Sequence, residues 1–390
     1  MPIYLDHAAT TPLRPELVEG YLEQLQVLGN PSSVHSSGQA ARRALEDARD
    51  VLAKAVGCHR SEVLFTSGGT ESDNLAIKGL YLQRHGEDPK RNLVITAGTE
   101  HHAGIDPVEW LEAQEGAEAV WVPVNRNGVV DLDWLASFLA QNSERVALIS
   151  LMWVNNETGL ITPITRVTEL AHKYGIPVHS DAVAAFGHVP TDFKSSGLAT
   201  MAISGHKLGS PVGIGALIVA RDAKVAVTSH GGGQERGIRS GTLSAPLGFT
   251  LAKAAALAEA ERGELFERLD GFKNQIVTSV KQVATDADFT RGDEAGFSGI
   301  LHFTFPGCSG DSLLFLLDSA GVSVSTGSAC RAGVAQPSHV IMAMGRSEDE
   351  ARGSLRISLG YTTTQADVDA FIAAFPVAYA GAHKAGLPSK

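Results

Sequence analysis

Lys207, Asp181, His101 and the pair Gly69 and Thr70 each stand within a few residues of the end of a short apolar run. In open α/β sheets ligands bind beyond the carboxyl ends of the strands, so positions just past such runs are where chemistry is expected. After "EVLFTS" comes "GGTESDNLAIKGL", a glycine turn entering a helix, whose free amides and Thr70 hydroxyl suit a phosphate. Taken alone, the same stretch also reads as an ordinary turn with Thr70 as helix cap. Asp181 follows "IPVHS", where a single aspartate is also a common turn former. Lys207 lies in "SGHKLGSP" beside Ser204 and His206, an unusual place for a solvated surface charge. His101 and His102 are adjacent, but no further ligands follow at zinc spacing, so no metal is expected. Cys330 sits in "VSVSTGSACRAG", among small residues that read as a loop rather than as packing partners.

The elements that must carry these groups are legible in the hydrophobic pattern. "EVLFTS", "NLVITAG", "AVWVPV", "VALISLMWV", "IPVHSDA", "TMAISGHK" and "IGALIVAR" read as seven strands, separated by helical segments such as "SGQAARRALEDARDVLAKAVG". That alternation predicts a mostly parallel seven-stranded sheet covered on both faces. From about Leu243 a long Ala/Glu-rich helix takes over, and the boundary between a large domain, 15–258, and a small α+β domain, 1–14 with 259–390, is placed inside it. In the small domain "SGILHFTF" reads as a strand, "CSGDSLLFLLDSAG" as a helix, and the tail "AGAHKAGLPSK" as frayed.

With 390 residues, 44% hydrophobic, the chain is long enough for two such units. A net charge of -11 without a basic run argues against a nucleic-acid partner. Three cysteines without a CxxC pair fit neither a disulfide framework nor a structural zinc site, which favours a reducing cytoplasm. The start "MPIYLDHAATTP" lacks a signal-peptide pattern, and no apolar run is long enough to span a bilayer, so neither secretion nor a membrane is expected.

A phosphate cradle, an acid and a lysine on separate strand ends are together what pyridoxal 5'-phosphate requires: an anchor, a partner for the pyridinium nitrogen and a Schiff-base amine. The sequence resembles the cysteine desulfurases of the class V branch of fold-type I pyridoxal-phosphate enzymes. The likeness runs from "YLDHAATTP" to "GSLRISLGYTT" and is carried by "TSGGTESDN", "TEHH", "NNETG", "SGHKLGSPVGIGAL" with "GGGQERGIRSGTL", and "STGSAC". It implies that Lys207 holds the cofactor and later moves the substrate Cα proton, that Asp181 keeps the pyridinium nitrogen protonated, and that His101 stacks on the ring and takes a catalytic part as a proton shuttle. By the same resemblance Gly69, Thr70, Ser204 and His206 hold the phosphate, and Asn156 and Arg356 bind the substrate carboxylate. Thr242 would reach the cofactor phosphate of a second subunit, making the unit a homodimer. Cys330, on a mobile loop spanning about 322–336, would take sulfur from L-cysteine as a persulfide, leaving L-alanine, and carry it to an acceptor protein for iron-sulfur cluster or thio-cofactor assembly. Cys58 and Cys308 read as structural or incidental. Two other readings stay compatible with these residues: a class V lyase or transaminase acting on another amino acid such as selenocysteine, and a catalytically weak protein serving as a sulfur-transfer partner.

One position departs from the resemblance. The family has a glutamine three residues after the pyridinium aspartate, donating to the cofactor's phenolic oxygen, whereas this chain has Ala184. Ser180 and His102 are the stand-in donors that the sequence offers.

Overall fold

The computed structural model describes residues 3–327 and 336–386. The chain opens with the short strand β1 (Ile3–Tyr4) and then builds one sheet from β2 (Val63–Thr66), β3 (Leu93–Thr96), β4 (Glu118–Trp121), β5 (Val146–Ser150), β6 (Val178–Asp181), β7 (Thr200–Ser204) and β8 (Gly215–Val219). Their order is β2-β8-β7-β6-β5-β3-β4. Every pairing among β3 to β7 is parallel, and β8 alone runs against its neighbours β7 and β2. Six of the seven strands therefore deliver their carboxyl ends to one edge. The expected strands are all present, because β2, β3, β5, β6, β7 and β8 are buried along their whole length, the burial that continuous apolar runs report.

The remaining strands are β9 (Asp288–Phe289), β10 (Ile300–Thr304), β11 (Val322–Ser323) and β12 (Ser354–Ser358). They form an antiparallel sheet ordered β12-β10-β9 and a parallel pair of β1 with β11. The chain's start thus lies against its last third, with Asp6 bridged to Ser358. The long helix Ala245–Val283 is continuous over 39 residues and packs along helix Ser36–Val56 at one end. A single hydrophobic cluster joins residues of the large sheet, this helix and the last third, from Leu45 and Phe65 through Phe272 to Phe303 and Phe371.

Two expectations need correction. The tail is not frayed where it is described: helix Gln365–Ala385 runs through most of it, with Ala382 fully buried and Gly381 so close to Leu316 that a Cβ there would lie 2.9 Å from it. The segment 322–336 is not a loop from its start, because Val322–Ser323 is β11 and Ser325 pairs with Arg356. Cys330 lies outside the described residues.

Candidate functional site

Each candidate group is positioned by the end of a strand. Ser67 and Gly68 follow β2 and lead into helix Gly69–Glu87, so Gly69 and Thr70 occupy its first turn and Gly68, not Thr70, is the cap. Gly69 is required by space: a Cβ there would stand 2.5 Å from Val183 and 3.7 Å from Ser204 at the end of β7. Beyond β3, His101 caps helix His102–Glu115, its Nδ1 accepting from the Ala103 amide at 3.0 Å. Asp181 ends β6 and accepts from the Val183 amide at 2.8 Å. Lys207 closes a single turn after β7, and its Nζ donates to the carbonyls of Ala8 and Ala9.

These groups line one cavity of about 410 Å³ at the carboxyl edge of the sheet, together with Asn156, Ala184, Ser204, His206 and Arg356. Thr242 is the exception: it is exposed on the loop before the long helix and does not border the cavity. A larger hollow of about 520 Å³ opens at the opposite, amino ends of the strands, bordered by Arg84, Glu87 and Lys224, and none of the groups nominated from sequence reaches it.

The electrostatics of the cavity are set by burial. Lys207 is lowered to about 8 by burial and then by Arg356, which leaves part of its amine unprotonated near neutrality. His206 is lowered to about 4, again mainly by burial, and stays neutral, with Nδ1 3.2 Å from the Thr10 hydroxyl. Asp181 is raised to about 7 by burial and by the neighbouring Asp73, so a cationic nitrogen beside it would restore its ionised form. Behind it, burial lifts Asp73 to about 8 and lowers His179 to about 4. Their 3.1 Å contact is accordingly a hydrogen bond between neutral groups rather than an ion pair. Arg356, on β12, donates to the Asn156 carbonyl at 2.9 Å and to Asp6 at 2.8 Å, while its Nε and the Asn156 Oδ1 are buried without partners.

A pyridoxal phosphate fits this donor set. The Gly69 turn with Ser204 leaves room for a phosphate that a side chain at Gly69 would fill, and the raised Asp181 and lowered Lys207 are the acid and amine that the pyridine and aldehyde groups need. Among the described residues no group of three His, Cys, Asp or Glu side chains is arranged to hold a metal.

Several participants carried no local signal in the sequence. Ala8 and Ala9 contribute carbonyls, Asp73 is a buried acid in the cavity wall and Glu100 a buried acid outside it, and Glu157 accepts from Ser338 at 2.5 Å. All of them lie inside quoted stretches, Ala8 and Ala9 in "YLDHAATTP", Asp73 in "TSGGTESDN", Glu100 in "TEHH" and Glu157 in "NNETG", but nothing in those stretches singled them out. The Ser338 and Glu157 contact, and His339 bonded to the Glu100 carbonyl at 2.8 Å, pin the chain where it returns after Cys330. Ser325 and Gly327, where it departs, also border the cavity. Of the proposed stand-in donors, His102 lines the cavity with its ring centre 4.6 Å from that of His339 and tilted 48° to it, whereas the buried Ser180 hydroxyl is not on its wall. Cys58 and Cys308 are pushed up to about 12 and about 11 by burial, which makes poor nucleophiles of both.

Comparison with known proteins agrees with this geometry. The family model for class V aminotransferases matches residues 3–371. An IscS-like cysteine desulfurase of Mycobacterium tuberculosis is 47% identical over 385 residues, 98% of each chain. The cysteine desulfurase IscS of Dictyoglomus turgidum is 39% identical, covering 94% of this chain and 92% of that one. Among solved structures, a NifS-like protein superposes with a TM-score of 0.88 at 31% identity over 97% of this chain and 99% of its own. The sheet order, the lysine at the end of β7 and these full-length matches together make the chain a member of the class V aminotransferase family, on its cysteine desulfurase branch.

Proposed function

We propose that the protein is a pyridoxal-phosphate-dependent cysteine desulfurase that converts L-cysteine to L-alanine and moves the substrate sulfur to Cys330 as a persulfide. The observation that carries the reading is one cavity in which the Lys207 amine and the Asp181 carboxyl share walls with both ends of the Cys330 segment. When bound, the cofactor supplies an electron sink for the substrate Cα and so weakens the carbon-sulfur bond.

The chain's own residues do the rest. Gly69, Thr70, Ser204 and the neutral His206 supply hydrogen-bond donors for the phosphate, and His101 covers the ring. Asp181 holds a proton on the pyridine nitrogen. Arg356 and Asn156 receive the substrate carboxylate, a role suited to the planar guanidinium fork. Lys207, part of it free amine near neutral pH, takes and returns the Cα proton. The Cys330 thiolate then forms a bond to the substrate sulfur as the carbon-sulfur bond breaks; the electron pair of that bond stays with carbon, which gains a proton to become the alanine methyl. Three chain links separate Gly327 from Cys330, a reach of at most about 11 Å, which suits delivery into the cavity.

A homodimer, in which Thr242 reaches the partner's cofactor phosphate, belongs to the same reading. So do the division into 15–258 and 1–14 with 259–390, a sulfur-acceptor protein for iron-sulfur cluster or thio-cofactor assembly, and a cytoplasmic setting. No described helix is long and apolar enough to cross a membrane. The test is product analysis: with L-cysteine and excess thiol, the cofactor-loaded protein should release sulfide and L-alanine in equal amounts. Pyruvate in place of alanine, or no sulfide, would overturn the proposal.

A further inference from the structure

The carboxyl that Arg356 meets belongs to Asp6, in the stretch "YLDHAATTP" near the start of the chain. The backbone around Asp6 is fastened to β12 on both sides: Leu5 accepts from the Ser358 amide at 2.7 Å, and His7 donates to the Ser358 carbonyl at 3.2 Å. Ser358 stands two residues beyond Arg356, and alternate residues of a strand share a face, so Asp6 is set beside the guanidinium. The Asp6 carbonyl is tied in turn, accepting from the Tyr4 hydroxyl and the Ala9 amide, both at 3.0 Å. With its backbone held in this way, only the side chain of Asp6 is left for other work, and it does not border the main cavity.

That side chain holds one nitrogen of the arginine. Nη2 of Arg356 donates to Asp6 Oδ1 at 2.8 Å, and Nη1 donates to the Asn156 carbonyl at 2.9 Å. Nε of the same guanidinium is buried and has no partner in the protein. A free arginine would turn to pair all its nitrogens, because a buried donor without a partner is costly. The bare Nε is what fixed partners on Nη1 and Nη2 produce, and the remaining N–H bonds of the planar fork then point in a set direction. Charge adds a second effect. Lys207 is lowered to about 8 by burial and by Arg356, while Asp181 and Asp6 pull the other way. Loss of the Asp6 charge therefore acts on Lys207 as well as on Arg356.

We infer that Asp6 is a positioning residue for the substrate carboxylate: by holding Nη2, it sets the plane in which the Arg356 fork meets the two carboxylate oxygens. Asp6 itself touches neither substrate nor cofactor. The consequence is selectivity, since a ligand with a carboxylate beside its amine gains from Asp6 and an amine without one does not. The inference rests on Arg356 and Asn156 receiving that carboxylate, as proposed above.

The deciding comparison is between two variants that both lack the charge. Asp6→Asn keeps an oxygen that accepts from Nη2, and Asp6→Ala does not. The probes are L-alanine and ethylamine, which differ by the carboxylate. The readout is the concentration of each that half-saturates the absorbance change of the cofactor-loaded protein. L-Alanine should bind the Ala variant about tenfold or more weakly than the Asn variant, the worth of one hydrogen bond to a charged group, while ethylamine should bind the two alike. Any change at Lys207 from the lost charge is common to both variants and both probes, and cancels. Equal L-alanine values in the two variants would overturn the inference, as would a parallel loss for ethylamine. If Asp6→Ala does not fold, Asp6→Ser, whose hydroxyl stops one bond short of Oδ1, takes its place with the same expectation. A protein whose absorbance ignores L-alanine would overturn both the inference and the role of Arg356. Because the readout needs no sulfur chemistry, a lack of sulfide from L-cysteine would sink the desulfurase reading alone. Equal L-alanine values in a sulfide-releasing protein would sink the role of Asp6 alone.

Discussion

Among single residues, Lys207 and Cys330 have separable duties, and their variants should fail differently. Cys330→Ala leaves every cavity-lining group in place, so it is expected to bind cofactor and to change its spectrum on adding L-cysteine, yet release no sulfide. Full sulfide release from that variant, or a persulfide mapped by mass spectrometry to the half-buried Cys58 or the buried Cys308, would assign the sulfur elsewhere. For Lys207 the relevant form is the free amine, and burial with Arg356 lowers its value to about 8. Attachment of pyridoxal phosphate to the cofactor-free protein should therefore quicken as pH rises and level off above about 8; an ordinary lysine would go on gaining speed to about 10. Ala184 is the third such position. Its methyl lies on the cavity wall beside Lys207, so Ala184→Gln would add an amide donor where the phenolic oxygen of the cofactor is expected. A hydrogen bond to a charged group contributes about 1.5–3 kcal/mol, so the chromophore midpoint should fall by about one to two units. An unchanged midpoint would mean that another donor, such as His102, already serves that oxygen.

Whole elements succeed or fail by how they are tied together. The glycine-rich loop before the long helix holds Glu235 and Arg236 at φ 38° and 58°, a left-handed backbone costly for residues with a Cβ. It is held there by Glu235, which receives both arms of Arg49 at 2.7 and 2.9 Å and the Phe65 amide of β2 at 2.6 Å, and by Arg239, which donates to Glu71 in the first turn of helix Gly69–Glu87. Glu235→Ala would strand a buried guanidinium, so a loss of about 3–5 kcal/mol is expected by urea unfolding. Gly69→Ala would press on Val183; overpacking of about 1–3 kcal/mol should weaken cofactor retention about tenfold or more. Elements of this kind also mark what the sequence could reveal. Strands such as VLFT, LVIT and VALIS were legible because short apolar runs have few other uses, while β6, which reads VHSD, was legible from its place in the alternation, and the residues just past the strands were legible as site candidates by position. The strands Ile3–Tyr4, Asp288–Phe289 and Val322–Ser323 have two residues each and leave no periodic trace. Asp73 sits within an ordinary helix, and its closeness to Asp181 arises only when that helix packs on the sheet. The helical tail was missed because its burial depends on Leu316, about 65 residues away, rather than on any local pattern.

At the level of the whole molecule, the proposed homodimer predicts a solution mass near twice 41.0 kDa, measurable by sedimentation, and Thr242→Ala should weaken cofactor retention although Thr242 lies outside its own chain's cavity. A monomer would leave Thr242 without a role. Within one chain, the order of assembly is constrained by the placement of the first dozen residues. The seven-stranded sheet is complete in sequence at Val219, but the acceptors of Lys207 are the carbonyls of Ala8 and Ala9, and the segment that carries them is fastened by pairing of Ile3–Tyr4 with Val322–Ser323 and of Asp6 with Ser358. On a ribosome adding about 5–20 residues per second, the first strand waits roughly 15–60 s for a partner made about 320 residues later. During that interval the large sheet can fold while the lysine's surroundings stay open on one side, so a nascent chain halted before Ser358 should gain its parallel sheet without retaining cofactor. Cofactor retention would thereby require synthesis to have passed Ser358, although the sheet that presents Lys207 and Asp181 is made about 140 residues earlier.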